Sequence, residues 1–313
     1  MDKTAIKFSV VICTYNPIKG IFNKCLDGIT AASAFLEPYE ILIIDNNSAE
    51  PVESRRYVRD FLEKNKNTKV ITELNQGLTT ARLRAIKESS GELIIFVDDD
   101  NFIDANYFST AVDIFIKYPF IGSYSGRVTL DYDDDPEEWT RKYWGMLIYR
   151  HLDENVWSNI PFNNDTMPNG AGLCVSRAVA DQYISLFEKG KRNFNLDRSK
   201  GSLMSGGDND LAMCACDIGK GIGLFKDLHL KHHITADRFT LKYLTRLAYG
   251  IYFSYAMLLF MRTGKVDKNT FTKRVKHLLR ISIMKRKDRI IQRSCKKGLK
   301  DAIILIESKQ LEL

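Results

Sequence analysis

The sequence predicts an α/β chain built on a mostly parallel sheet with helices on both faces, followed by a basic helical extension. Three observations carry that expectation. Over the first hundred residues, short β-branched runs alternate with segments of helical spacing, as in a parallel sheet with crossover helices. Three of those runs end in polar clusters, Thr14-Tyr15-Asn16, Asp45-Asn46-Asn47-Ser48 and Asp98-Asp99-Asp100. Beyond Phe239 the spacing is helical to the end of the chain.

The elements follow in order. Lys7–Cys13 is β-rich and closes in Tyr15-Asn16-Pro17, the way a strand closes into a turn and unlike a signal peptide. Ile18–Leu36 repeats apolar residues at helical intervals through Ile21, Phe22, Cys25, Leu26 and Ile29. Glu40–Ile44 is a buried-type strand, and Pro51 suits the start of a helix. Arg55–Lys64 reads as helix, Thr68–Thr72 as strand and Leu78–Glu88 as helix, the last preceded by Asn75-Gln76-Gly77. Glu92–Val97 is a strand that runs into the three aspartates. After Asn106 the pattern loosens. The acidic loop Asp131–Glu138 reads as solvated. The aromatic stretch Trp139–Phe162 suits core packing or a wall for a ring-shaped ligand. Met167–Gly172 is a turn before the strand Leu173–Ser176, and Gly206-Gly207-Asp208-Asn209-Asp210 opens a helix through Cys216.

In a parallel sheet the three polar clusters share one edge, so they converge where ligands bind, outside the carboxyl ends of the strands. Carboxylates packed as tightly as Asp98–Asp100 repel one another and need a compensating charge. A hard divalent cation suits them, because it takes one or two carboxylates and completes its shell with water and substrate phosphate oxygens.

Composition narrows the partners. The six cysteines show no zinc-like pairing and read as reduced, mostly buried thiols of a cytosolic protein. The longest apolar stretch, Ala248–Met261, is 14 residues, short of the roughly 20 that a membrane span needs, so a core or interfacial helix is expected and not an integral protein. The net charge of +7 is uneven. Leu241–Lys300 holds 17 Lys/Arg and two acids, a net of +15, which leaves 7 − 15 = −8 for the rest. A basic tail on an acidic body points to an anionic partner.

Four stretches, in order, resemble the family 2 glycosyltransferases of the GT-A fold: Phe8–Asn16, Ile41–Ser48, Asn75–Arg82 with Ser90–Asp100, and Ser205–Leu211. The resemblance covers roughly the first 240 residues and implies a Rossmann-like nucleotide-sugar-binding half at 1–105, an acceptor-binding half at 106–240 and a basic extension at 241–313. It implies that Thr14 and Tyr15 line the base, with Asn16, Asn75 and Gly77 in the same nucleotide-sugar site. Asp45 would accept from uracil or ribose, and Arg82 would lie near the nucleotide. Asp98, with Asp99 beside it, would face the ribose. Asp100 and His232 would hold Mn²⁺ or Mg²⁺, with His233 as the neighbouring alternative, and Arg238 would meet the diphosphate. Asp208 matches the catalytic base, with Asp210 to be told apart by context, and Gly170, Ala171 and Gly172 the acceptor or sugar pocket. Two departures stand out: Gly207 where the family often has Glu, and Asn101 after the last aspartate.

The implied activity is inverting, metal-dependent transfer of a sugar from a nucleotide-diphosphate donor, most simply a UDP-sugar, to a hydroxyl of a surface glycan or lipid-linked saccharide. The expected place is the cytoplasm, peripheral on the cytoplasmic face of an anionic membrane, with no nucleic acid as partner. A haloacid-dehalogenase-like phosphatase fits less well, because about a hundred organised residues precede Asp98 and Phe102 replaces the expected Thr or Val. No aromatic RNA motif or helix-turn-helix signature supports a nucleic-acid module.

Overall fold

The computed structural model describes residues 7–33, 39–192, 196, 203–266 and 284–309. The chain divides into two compact units. One combines Met1–Tyr132, Leu147–Glu188 and Asp208–Ile234; the other combines Asp133–Met146, Lys189–Gly207 and Thr235–Leu313.

The first unit holds the sheet. In chain order its elements are β1 (Phe8–Thr14), α1 (Lys19–Ser33), β2 (Tyr39–Asp45), α2 (Arg56–Lys64), β3 (Thr68–Thr72), α3 (Leu78–Glu88), β4 (Leu93–Phe96), β5 (Asn101–Ile103), α4 (Tyr107–Lys117), β6 (Ile121–Asp131), β7 (Val156–Ser158), β8 (Cys174–Ser176), α5 (Arg177–Glu188), α6 (Gly207–Asp217) and β9 (Gly221–His233). The strand order is β3-β2-β1-β4-β8-β6-β9-β5, with β7 on the side of β9. The pairings among β1, β2, β3 and β4 are parallel, as the alternation of strands and helices requires. Beyond β4 the sheet is mixed: β8 joins antiparallel between β4 and β6, and β5 and β7 run antiparallel to β9.

The core explains why these residues take these forms. Val10, Val11 and Ile12 of β1 and Ile41–Ile44 of β2 are fully buried, as strands covered on both faces must be. α1 buries Phe22, Cys25, Leu26 and Ile29 on one stripe, the i, i+3, i+4, i+7 set of an amphipathic helix. Helix α6 starts at Gly207, within the segment expected to open it, which puts Asp208 in its first turn.

The second unit is helical. A 3₁₀ turn at Ala236–Phe239 leads into α7 (Leu241–Thr263), whose first turn is capped by the Thr240 hydroxyl accepting from the Tyr243 N–H. The last helix, α8 (Arg286–Lys309), packs along α7: Ser294 Oγ donates to the Thr245 carbonyl at 2.8 Å, and Tyr249 Oη donates to Asp301 at 3.0 Å. α8 buries Ile291, Cys295, Gly298, Ala302 and Ile306 on one stripe and exposes Arg286, Arg293, Lys296, Lys297 and Lys300. Lys142 and Tyr143 both hold Asp288, and Lys287 lies 4.2 Å over the Trp139 ring. The Trp139 and Tyr143 rings therefore stand against α8.

The 14-residue count of the apolar stretch understates this segment. α7 has 23 residues and is long and apolar enough to cross a membrane by length and composition, at about 1.5 Å per residue. Part of that length is a packing face, since Leu244, Leu247, Ala248, Met257, Leu258 and Met261 are buried. The basic helical spacing expected through Phe271, Val275, Leu278, Leu279, Ile281 and Ile283 lies outside the described residues.

Candidate functional site

The parallel register brings the three polar clusters together. Thr14 and Asp45 are direct partners at the ends of β1 and β2, and Asn46 N–H donates to the Thr14 carbonyl at 2.8 Å. The Thr14 hydroxyl donates to Asp99 in turn. Tyr15 is half exposed beside them. Asn16 takes a positive φ of 50°, which Asn tolerates better than most residues. Its side-chain oxygen accepts from Ala49 N–H at 2.9 Å, and its own N–H donates to Ser48 Oγ. The first two clusters are thereby sewn into one loop pair.

Asp45 is 2 % exposed, and both of its oxygens accept from the backbone: Oδ1 from Ser48 N–H and Oδ2 from Val52 N–H, each at 3.0 Å. Its first task is to cap its own loop; a nucleoside hydroxyl or base would have to use the remaining lone pairs. Asn46 does similar work next door. Its amide donates to the Glu73 and Asn75 carbonyls, and its oxygen accepts from Gly77 N–H at 2.7 Å. Asn75 is exposed and Gly77 buried at the start of α3, with Arg82 buried one turn on.

The acidic cluster is organised by a residue that the sequence marked only as a departure. Asn101 is fully buried. Its oxygen accepts from Asp98 N–H at 3.2 Å and its amide donates to Asp100 Oδ1 at 3.1 Å. A buried amide beside acids supplies both an acceptor and a donor, which fixes the turn and one carboxylate together. Below it, the Cys25 thiol donates to the Asp98 carbonyl at 3.4 Å. Burial, then the charges of Asp99, Asp100 and Asp98, push that thiol well above its ordinary range. The field of the cluster thus reaches the core.

On the far side of Asp100, β9 supplies His232, 3 % exposed, with Nε2 at 3.3 Å from Asp100 Oδ2. Its Nδ1 lies 3.1 Å from the Leu147 carbonyl oxygen. A carbonyl can only accept, so Nδ1 carries the proton. Nε2 is left facing the carboxylate, with a proton or a cation to join the two. A carboxylate and an oriented imidazole fit a divalent metal, with water and phosphate oxygens completing its shell. Among the described residues no group of three or more His, Cys, Asp or Glu is gathered for a metal. His233, the alternative, points elsewhere: its Nδ1 lies 2.7 Å from Asp131 Oδ2.

Asp208 meets another part of the site. A Cβ built on Gly170 would lie 2.5 Å from Asp208 Oδ2, so Gly170 leaves the space that this carboxylate occupies. Ala171 is fully buried. Gly172 has φ +69°, and its carbonyl accepts from Tyr107 Oη at 2.8 Å, so it is held by a backbone requirement. Asp210 is 1 % exposed, inside α6. Arg238 belongs to the second unit, its guanidinium 5.7 Å from the Tyr243 ring centre.

The profile of glycosyl transferase family 2 matches residues 9–168, just over half of the chain. The chain belongs to glycosyl transferase family 2. The match includes all three polar clusters. Among relatives, the glucosyl-dolichyl phosphate glucuronosyltransferase of Haloferax volcanii is 25 % identical over 195 residues, 58 % of this chain and 61 % of that protein. TarS of S. aureus superposes with a TM-score of 0.51 at 14 % identity, over 95 % of this chain and 55 % of that one. GalNAc-T7, solved with UDP, GalNAc and Mn²⁺, gives 0.51 at 14 % identity over 73 % and 43 %. These likenesses show the GT-A fold. The chain spans less than two thirds of the length of each.

Proposed function

We propose that this chain is a metal-dependent, inverting glycosyltransferase acting on a nucleotide-diphosphate donor, with UDP the favoured carrier. The observation that carries the reading is the opposition of His232 Nε2 and Asp100 Oδ2 at 3.3 Å within an aspartate cluster at the strand ends. A cation bound there would neutralise charge growing on the departing diphosphate. The GalNAc-T7 structure holds UDP and Mn²⁺ together, which supports that donor and that metal.

The chain's own residues supply the rest of the chemistry. The 14–16 and 45–48 loops are held rigid by their hydrogen bonds and offer Tyr15 as an exposed ring for a base to stack on. Asp208, in the first turn of α6, takes the proton of the acceptor hydroxyl. One base opposite the leaving group corresponds to inversion at the anomeric carbon. The acceptor is a hydroxyl of a surface glycan or a lipid-linked saccharide. The glucuronosyltransferase of Haloferax volcanii, by its name, uses such a lipid-linked sugar. The basic C-terminal segment would hold the protein to an anionic membrane on its cytoplasmic face.

The test is a thermal-shift panel of nucleoside diphosphates and sugar nucleotides with and without Mn²⁺ or Mg²⁺, followed by product analysis. Metal-dependent stabilisation by UDP and release of UDP from a UDP-sugar are expected. Inorganic phosphate as the first product would overturn the transferase reading.

A further inference from the structure

The second unit contains a cleft of about 520 Å³ between α7, α8 and the segment at 203–204. One wall is apolar and aromatic: Leu203, Met204 and the stacked pair Tyr249 and Phe253, whose ring centres are 5.9 Å apart at 20°. The mouth is cationic. Arg246 of α7 and Lys297 of α8 both line it and both are exposed, and Lys297 Nζ lies 5.9 Å from the Tyr249 ring centre. Among the described residues no Asp or Glu lines it, and the nearby Asp301 is taken up by the Tyr249 hydroxyl. Thr245 and Ser294 line the cleft as well. Ser294 donates to the Thr245 carbonyl, and Thr245 Oγ1 is buried with no hydrogen-bond partner among the described residues.

The cleft is built into the packing. A side chain at Gly250 would collide with the Leu203 carbonyl, and one at Gly298 with the Tyr249 carbonyl. These glycines therefore set how closely the 203–204 segment and α8 approach α7. Two exposed cations beside an apolar, aromatic lining match one ligand chemistry: a phosphate head on a hydrocarbon chain. A membrane source is favoured over free phosphate by the helix itself. α7 is long and apolar enough to enter a bilayer, and it exposes Tyr252 and Tyr255, the aromatic type that settles at a membrane interface.

We infer that this cleft is a binding site for a phosphomonoester lipid, its phosphate held by Arg246 and Lys297 and its chain lying along Tyr249, Phe253, Leu203 and Met204. This goes beyond diffuse attraction of a basic tail, which reads charge and not headgroup. It assigns no step of sugar transfer to the cleft, so its test involves no turnover and stands or falls apart from the transferase reading.

The full chain is mixed with phosphatidylcholine vesicles carrying either phosphatidic acid or phosphatidylglycerol, matched in surface charge, and pelleting is measured at low and high salt. Roughly tenfold tighter binding to the phosphatidic acid vesicles is expected, about 1.4 kcal/mol, and it should persist at salt that screens diffuse attraction. The double variant Arg246→Gln, Lys297→Gln should lose that preference while still binding both vesicles weakly. Arg286→Gln with Lys287→Gln, of similar charge loss outside the cleft, should keep it. Equal binding to the two charge-matched vesicles would overturn the proposal, as would a preference that survives the cleft variant. Full competition by inorganic phosphate alone would assign the cleft to a free anion and overturn the lipid. Should the double variant fail to fold, Lys297→Gln alone, at an exposed position, should weaken the preference, and an unchanged preference would overturn the proposal.

Discussion

The Nδ1 of His232 donates to the Leu147 carbonyl, which leaves its Nε2 facing Asp100 Oδ2 at 3.3 Å. A divalent cation can stand between these two atoms where a proton otherwise would. This arrangement is the structural basis for expecting metal-dependent binding.

Replacing Asp100 with Ala should therefore remove metal-dependent stabilisation by UDP and leave the fold intact, since Asp100 is partly exposed. For the parent, nucleotide at about 100 times its dissociation constant adds roughly 2.7 kcal/mol. Thermal unfolding with Mn²⁺ and UDP reads the difference. Unchanged metal-dependent stabilisation in the variant would sink the assignment.

Asp208→Asn keeps the shape of the side chain and should bind donor as the parent does. Its turnover should fall by about 10²-fold or more, the range of a lost general base. Asp210 is buried within α6, so Asp210→Asn should act on stability more than on chemistry. Steady-state kinetics and thermal melting of both variants separate the two. A comparable kinetic loss from Asp210→Asn, with Asp208→Asn active, would move the role.

Gly170→Ala would place a methyl 2.5 Å from Asp208 Oδ2 and push the carboxylate aside. Because displacement of a reacting group by about 1 Å can cost around 10²-fold, kcat should fall sharply with little change in donor affinity. Isothermal titration beside kinetics checks the split. Parent-like kcat would show that Asp208 has other room.

Glu40 carries a pH prediction. Burial alone would raise its pKa. Hydrogen bonds from the Ser90 N–H, the Ser9 hydroxyl and the Ser90 hydroxyl outweigh that and hold it below the usual glutamate range. A depressed carboxylate stabilises the fold above its unfolded pKa, and that contribution fades as pH falls through the folded value. Glu40→Gln should cost of order 1 kcal/mol at neutral pH after screening by solvent, and the cost should shrink below the ordinary glutamate range. Denaturant melts across that range test it. A cost independent of pH would rule the mechanism out.

Much of this was legible beforehand, for identifiable reasons. The alternation of strand and helix through Phe96 encodes parallel order, and parallel order alone brings Thr14, Asp45 and Asp99 to one edge. The sheet beyond β4 was less legible because β8 has three residues, Cys174–Ser176, too few to betray direction. The double backbone capping by Asp45 was hidden as well, since Val52 lies seven residues on and only the folded loop brings its N–H back. Asn101 carried a signal that was available, a lone amide against three acids. The Leu147 carbonyl carried none, because any residue presents the same group. For α7, the count of uninterrupted apolar residues missed a helix whose flanks alternate apolar with basic positions.

Cys25 has a practical consequence. Its thiol is fully buried, and that burial, with the aspartates above it, raises its pKa, so an alkylating reagent, which needs the thiolate, meets it only when α1 lifts away from the Asp98 turn. The rate of its labelling therefore counts such openings, tenfold slower for each 1.4 kcal/mol by which they are made rarer. The chain thus carries its own timer beneath the acidic turn, one that nucleotide and metal should slow together if they clamp that turn shut.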